Sequence, residues 1–229
     1  MKNKLKLFIG LFSLISCLTN CFQQRSLKIV SDDYCDSCNK WSGYYFYHRY
    51  YLEGKENCLD SALFLIDEAL SICEEKRYDM SIRKLAVLCG KQKYDEAILF
   101  MDSISFDGHD YSCYKQVVFN RIHAMKYQYT EEIPQRNLYL QETVDLLHDY
   151  LSKNKLGVDS VWLNHNESSH DSLWLATFQY YHYFSILNGY KNSIKELDSL
   201  YNNHLMNEYC HERLVNESEC AQLRLFLGI

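Results

Sequence analysis

Residues 82–104 constrain the fold more than any other part of the sequence. Apolar side chains recur there at intervals of three and four, stop at a polar turn over residues 90–93, and then resume with the same spacing. This spacing places the apolar side chains on one face of an α-helix. A short polar turn between two such helices predicts an antiparallel hairpin in which each helix has one apolar face. The apolar positions are Ile82, Leu85, Ala86 and Cys89 in the first helix and Tyr94, Ala97, Ile98, Met101 and Ile104 in the second.

The rest of the chain has the composition of an all-α protein. Its 229 residues include one proline, Pro134, and eight glycines, and these residue types form the turns of all-β chains. Their scarcity favours long helices, and the chain length favours a single domain with a sizeable core. We therefore predict about eight or nine helices in one domain over residues 40–229. Outside the first hairpin, helices are expected over residues 40–53, 58–73, 110–128, 133–153, 172–187 and 207–227.

The helix expected over residues 58–73 repeats the apolar pattern of residues 94–104 at a constant offset of 35 residues. The phrase KYDEAI at residues 93–98 resembles the second helix of tetratricopeptide repeats, whose period is about 34 residues. A third copy follows over residues 188–197, again with a small residue where two helices must approach closely. The resemblance implies antiparallel helical hairpins stacked as a short right-handed tetratricopeptide-like solenoid. The matched sets are Leu59, Ala62, Ile66 and Ala69; Tyr94, Ala97, Met101 and Ile104; and Tyr190, Ser193 and Leu197.

Residues 1–16 have the pattern of an export signal peptide. A basic segment precedes an apolar run that is too short to span a bilayer as a helix. The phrase LISC, which ends at Cys17, resembles the lipobox of bacterial lipoproteins. The resemblance implies cleavage before Cys17 and acylation of its thiol, and two or three acyl chains anchor a protein stably. Cys21 fits the pattern less well because Asn20 precedes it, and an ordinary secretory signal is the remaining alternative.

The lipobox resemblance also implies a location. The protein would belong to the cell envelope, anchored by lipid to a bacterial membrane. No acidic run follows Cys17, which favours the periplasm-facing outer membrane over export to the cell surface. Residues 17–39 are polar and aperiodic, and we expect them to form a flexible tether between the lipid and the domain.

The ten cysteines are scattered along the chain. Cys73 and Cys89 lie on expected apolar helix faces, where we predict small buried hydrophobic residues rather than members of a disulfide framework. Cys35 and Cys38 form a CxxC motif, which in an oxidising exterior can form a local disulfide or pair with other cysteines. A zinc site needs a second ligand pair with suitable spacing, so we predict neither a metal nor a cofactor.

The charge of the chain bears on its partners. Three of the 24 lysines and arginines lie in the leader, so its removal leaves 21 against 30 acidic residues, a net charge of −9. Such acidity argues against nucleic acid as a partner, although it also serves solubility. The sequence has no glycine-rich phosphate loop and no nucleophile motif. We therefore predict a protein that binds an unidentified protein or peptide and catalyses nothing.

Two of the expected helices are rich in tyrosine, which offers a partner a large rigid surface and a hydroxyl group. In tetratricopeptide stacks the corresponding helices line a concave groove, so the resemblance implies a binding site there. The alternative is that these rings fill spaces between helices. Two other functions stay open: an immunity-type inhibitor that sequesters a toxin, and a glycan-binding accessory lipoprotein. The candidate contact residues are Tyr44, Tyr47, His48 and Tyr51 on the first helix and Tyr180 and Tyr183 on the later one.

Overall fold

The computed structural model describes residues 32–106, 112–154, 172–203 and 206–227, and this part of the chain is helical without strands. The predicted all-α class is therefore confirmed. The leader, Cys17 and residues 17–31 of the expected tether lie outside the described residues. The helices are α1 (Asp32–Gly43), a π-helical segment (Tyr44–Leu52), α2 (Cys58–Ile72), α3 (Arg77–Gly90), α4 (Tyr94–Met101), α5 (Tyr114–Tyr129), α6 (Ile133–Lys153), α7 (Ser172–Asn188), α8 (Tyr190–Asn202) and α9 (Glu208–Leu227).

Each helix packs against the next one along the chain, which produces a helical stack. The last helix, α9, departs from this order because it contacts α5 and α7 as well as α8. Three clusters of buried side chains hold the stack together, and they share helices α3 and α7. None of the described helices combines the length and apolarity needed to span a membrane.

The apolar positions that repeat at an offset of 35 residues are core positions of α2, of α4 and, at Ile104, of the segment that follows α4. All eight are buried, and the most exposed of them, Tyr94, shows only 8 % of its surface. In the third copy Ser193 and Leu197 are fully buried, as expected. The expectation that Tyr190 replaces Tyr94 is wrong, because Tyr94 lies against the Tyr129 ring of α5 whereas Tyr190, at the start of α8, is 47 % exposed.

A disulfide between Cys35 and Cys73 joins α1 to the residue that follows α2. Cys73 is therefore not a simple hydrophobic residue as predicted, whereas Cys89 is buried without a disulfide, as expected. Residues 32–39 of the expected tether belong to α1 and pack against α2. This helix was not predicted because its buried face includes two cysteines, Cys35 and Cys38, in an otherwise polar stretch without an apolar repeat.

Candidate functional site

The π-helical segment carries the first group of predicted tyrosines. A π-helix pairs residues five apart, and such segments are rare and often found at functional sites. Phe46 and Tyr51 are five apart, and their ring centroids lie 5.0 Å from each other in an edge-to-face arrangement. Phe46 is fully buried, Tyr51 is partly buried, and Tyr47 is 52 % exposed. The segment therefore anchors itself through Phe46 and presents tyrosines beside that anchor.

A set of ion pairs closes the end of this segment. Glu53 forms ion pairs with Lys55 and Arg49, whose Nζ and Nε lie 2.7 Å and 3.1 Å from its carboxylate, and His48 Nδ1 lies 3.4 Å from the same carboxylate. The hydrogen bond from Lys55 is the main reason why the pKa of Glu53 lies below its ordinary value. His48 also stacks on Tyr44 with ring centroids 5.4 Å apart. His48 and Tyr44 are thus engaged with their own segment.

A cleft of about 760 Å³ lies between the π-helical segment, α3 and α5. We call it the central cleft. It is larger than the cavities of about 420 Å³ beside α2, α3 and α4 and about 350 Å³ beside the disulfide. Its walls combine aromatic and aliphatic side chains with two arginines. The lining residues are Asn39, Phe46, Tyr47, Tyr51, Leu52, Tyr78, Asp79, Ile82, Arg83, Ala86, Tyr114 and Arg121.

Arg83, on α3, forms hydrogen bonds with other residues of the protein. Its Nη1 donates to the Asn39 carbonyl oxygen and, at 3.1 Å, to Ser42 Oγ. Burial lowers the pKa of Arg83, while electrostatic interactions with Tyr47 and Asp79 oppose that effect. The guanidinium of Arg83 therefore connects α1 to α3 and has a carboxylate, Asp79, nearby to balance its charge.

Arg121, on α5, is in a different situation. It is partly buried and lines the cleft, yet within the described chain its guanidinium forms no hydrogen bond and no ion pair. Burial lowers its pKa, but Tyr183, Cys89, Tyr114 and Tyr51 interact with it electrostatically and make the net shift upward. Arg121 is therefore a charged group at the wall of the cleft, which it shares with tyrosines, and no described carboxylate is paired to it.

The structure separates the predicted contact residues into three groups. Tyr47 and Tyr51 line the central cleft, whereas Tyr44 and His48 do not. Tyr180 is partly buried and packs on Phe184 with ring centroids 5.6 Å apart. For these five residues, contact with a partner stays a prediction.

Tyr183 is the clearest departure from the expectation. It is only 1 % exposed and belongs to the main core cluster, so the prediction that it contacts a partner is wrong. The physical reason is that α7 lies between α6, α8 and α9, which leaves this side of the helix no access to solvent.

Sequence reasoning missed Arg121, although the sequence carries a signal for it. Val117 and Met125 are buried on the inner face of α5, and Arg121 lies four residues from each. A charged residue in the middle of an apolar stripe is unusual enough to mark a candidate site. Among the described residues no group of three histidine, cysteine or acidic side chains is arranged to hold a metal ion. Comparison with family models, curated proteins and solved structures found no match to this chain.

Proposed function

We propose that this chain is a non-catalytic binding protein that takes a peptide segment of a partner into the central cleft. The observation that carries the proposal is the combination of aromatic walls with the guanidinium of Arg121, which lacks a described ionic partner. Binding sites are typically concave and largely apolar, with a few polar groups that fix orientation. Tyrosine and arginine are also the residues that most often dominate binding energy at protein interfaces.

We further propose that the chain is a lipid-anchored protein of the bacterial envelope, facing the periplasm from the outer membrane. The lipobox-like phrase before Cys17 supports the anchor. The Cys35–Cys73 disulfide supports an oxidising compartment, because disulfides are rare in proteins of the cytosol. In cells fed with labelled palmitate, the native chain and a Cys21→Ala variant should take up label and a Cys17→Ala variant should not. Label on the Cys17→Ala variant would exclude this anchor.

The repeated core of α2 and α4 supports a tetratricopeptide-like origin for the stack. Ala62 and Ala97 occupy equivalent buried positions 35 residues apart, where small side chains allow close helix approach. In such repeats the binding surface lies on alternate helices, and the central cleft is formed by the π-helical segment, α3 and α5. The proposed site and the proposed repeat relationship therefore agree.

The binding proposal can be tested without knowledge of the natural partner. A displayed library of random peptides is selected on the purified protein, and the enriched peptides are measured against two variants. Tyr47→Ala removes an exposed ring from the cleft, and Leu99→Ala removes a side chain that is 74 % exposed on α4 and lies outside the cleft. We expect Tyr47→Ala to weaken binding at least about tenfold and Leu99→Ala to leave it unchanged. Failure to enrich any peptide, or an equal loss in both variants, would overturn the proposal.

A further inference from the structure

The charges around the central cleft define the kind of ligand it can hold. Arg83 donates two hydrogen bonds to α1 and lies close enough to Asp79 to interact with its charge. Arg121 has neither kind of contact within the described residues. The lining residues of the cleft therefore carry one positive charge without a matching carboxylate. A ligand with a single negative charge matches this arrangement, whereas a phosphate dianion would need a second cation.

The environment of Arg121 favours a carboxylate. Removing a guanidinium from water is costly unless an anion or other acceptors replace the lost hydration. The planar guanidinium has parallel N–H donors that fit the two oxygens of a carboxylate. Tyr51 and Tyr114 line the same cleft as Arg121, and a ligand seated among these rings would displace water from the pair. Both effects strengthen an ionic hydrogen bond relative to one at an open surface.

The walls beside Arg121 add a second requirement. Leu52, Ile82 and Ala86 provide accessible apolar surface in the same cleft, so an apolar group on the ligand can be buried in the cleft that holds its charge. The volume of about 760 Å³ is within the range of sites for small molecules and short peptide segments. The ligand group must therefore combine one carboxylate with an apolar substituent a few atoms away.

We infer that Arg121 binds the C-terminal carboxylate of a peptide whose last residue has an apolar side chain. A C-terminal residue carries its carboxylate and its side chain on the same Cα, which suits one cleft that holds both a guanidinium and apolar walls. An internal aspartate or glutamate has its charge at the end of its own side chain, so a large apolar side chain must come from a different residue of the peptide. Asp79, which also lines the cleft, disfavours a second negative charge. This inference rests on the proposed peptide-binding function and specifies its ligand.

Three small probes test the inference on the purified protein. N-acetylphenylalanine represents a C-terminal apolar residue, its amide lacks only the charge, and N-acetylaspartate amide represents an internal acid. We expect N-acetylphenylalanine to shift amide NMR signals of the cleft at millimolar concentrations, with both other probes at least about tenfold weaker, as expected for loss of one charge-assisted hydrogen bond. Arg121→Gln should abolish the difference in affinity between N-acetylphenylalanine and its amide. Arg121→Lys, which keeps the charge, should retain part of this difference.

Arg213→Gln is the matched control, because Arg213 is an exposed arginine of α9 outside the cleft. This variant should bind the three probes with the same affinities as the native protein. Equal binding of the acid and the amide to the native protein would overturn the inference, and so would unchanged binding of the acid to Arg121→Gln. Stronger binding of N-acetylaspartate amide would assign the site to internal acidic side chains instead. If selected peptides bind the cleft but tolerate C-terminal amidation, this inference fails while the proposed binding function survives.

Discussion

Arg121 lies where the sequence pattern of α5 calls for an apolar residue, between the buried side chains of Val117 and Met125. A side chain placed there for stability alone would be apolar, because a partly buried charge without a paired anion is costly. Proteins tolerate such conflicts between local pattern and chemistry mainly at functional sites. The position of Arg121 thus agrees with a role in binding.

Replacement of Arg121 by methionine is expected to stabilise the protein. Methionine keeps the long apolar stem and removes the charge, so the free energy of unfolding should rise by about 1 kcal/mol. Arg136→Met provides a contrast, because Arg136 donates hydrogen bonds to Asn137 Oδ1 at 2.7 Å and 3.0 Å and a further one to Gln128 Oε1. The free energy of unfolding of Arg136→Met should be lower than that of the native protein by about 1–2 kcal/mol. Urea unfolding measures both, and destabilisation of Arg121→Met would show that Arg121 has a structural role.

His123 is expected to make the protein less stable in mild acid. Its ring stacks on Tyr139 with centroids 4.6 Å apart, and both of its ring nitrogens are buried without a hydrogen bond to any residue that the structure describes. Burial, with a smaller contribution from Lys126, lowers the pKa of His123, and Asp95 opposes the shift. The unfolded chain therefore takes up a proton first as the pH falls below about 6.5, and stability is lost until the pH reaches the folded pKa.

Urea unfolding between pH 7.5 and pH 5 tests this expectation. His123→Phe should remove part of the acid-dependent loss, at most about 1.4 kcal/mol per pH unit. His148→Gln, at an exposed position on α6, should leave the pH dependence as in the native protein. An identical pH dependence in the native protein and His123→Phe would contradict the assignment.

Two residues of the candidate site were predicted from the sequence. Tyr47 and Tyr51 were predicted from tyrosine-rich composition and do line the cleft, whereas Tyr183 shares that composition and is core. Composition cannot separate the two cases, because burial depends on which helices pack against a given face. Arg121 and Tyr114 reach the cleft from α5, which is distant in sequence from the π-helical segment.

Among the helices, the first one differs most from expectation. Residues 40–53 were expected to be one helix, but the helix begins at Asp32 and changes to π-helical geometry at Tyr44. The change follows the dense aromatic sequence, since five-residue spacing places Phe46 and Tyr51 together against the rest of the protein. The spacing of apolar residues in an ordinary α-helix does not indicate such a change to π-helical geometry. By contrast, the bounds of α6 were predicted correctly, because Pro134 marks its first turn and a regular stripe follows.

The disulfide between Cys35 and Cys73 is expected to hold α1 onto α2 and to contribute substantially to stability. It closes a loop of 38 residues, for which chain entropy gives about 3–4 kcal/mol. Cys73→Ala should lower the free energy of urea unfolding by this order, and the same loss should follow reduction of the native protein. Cys220→Ala, at an exposed cysteine outside any described disulfide, should change little. A Cys73→Ala variant as stable as the native protein would show that the bridge is not formed in solution.

The net charge of the chain and the charge of the central cleft differ in sign. The net charge is −6, yet the lining residues of the central cleft include two arginines and one acidic residue. The overall charge disfavours the approach of polyanions, while the cleft attracts a single carboxylate at short range. This contrast favours a selective peptide site over general anion binding.

We propose that the partner binds in the cleft between the π-helical segment, α3 and α5. Amide chemical-shift mapping with a selected peptide tests this directly. The largest perturbations should fall on residues of those three elements, including Tyr47 and Arg121. Perturbations centred instead on the exposed side chains of α2 and α4, such as Phe64 and Leu99, would contradict it.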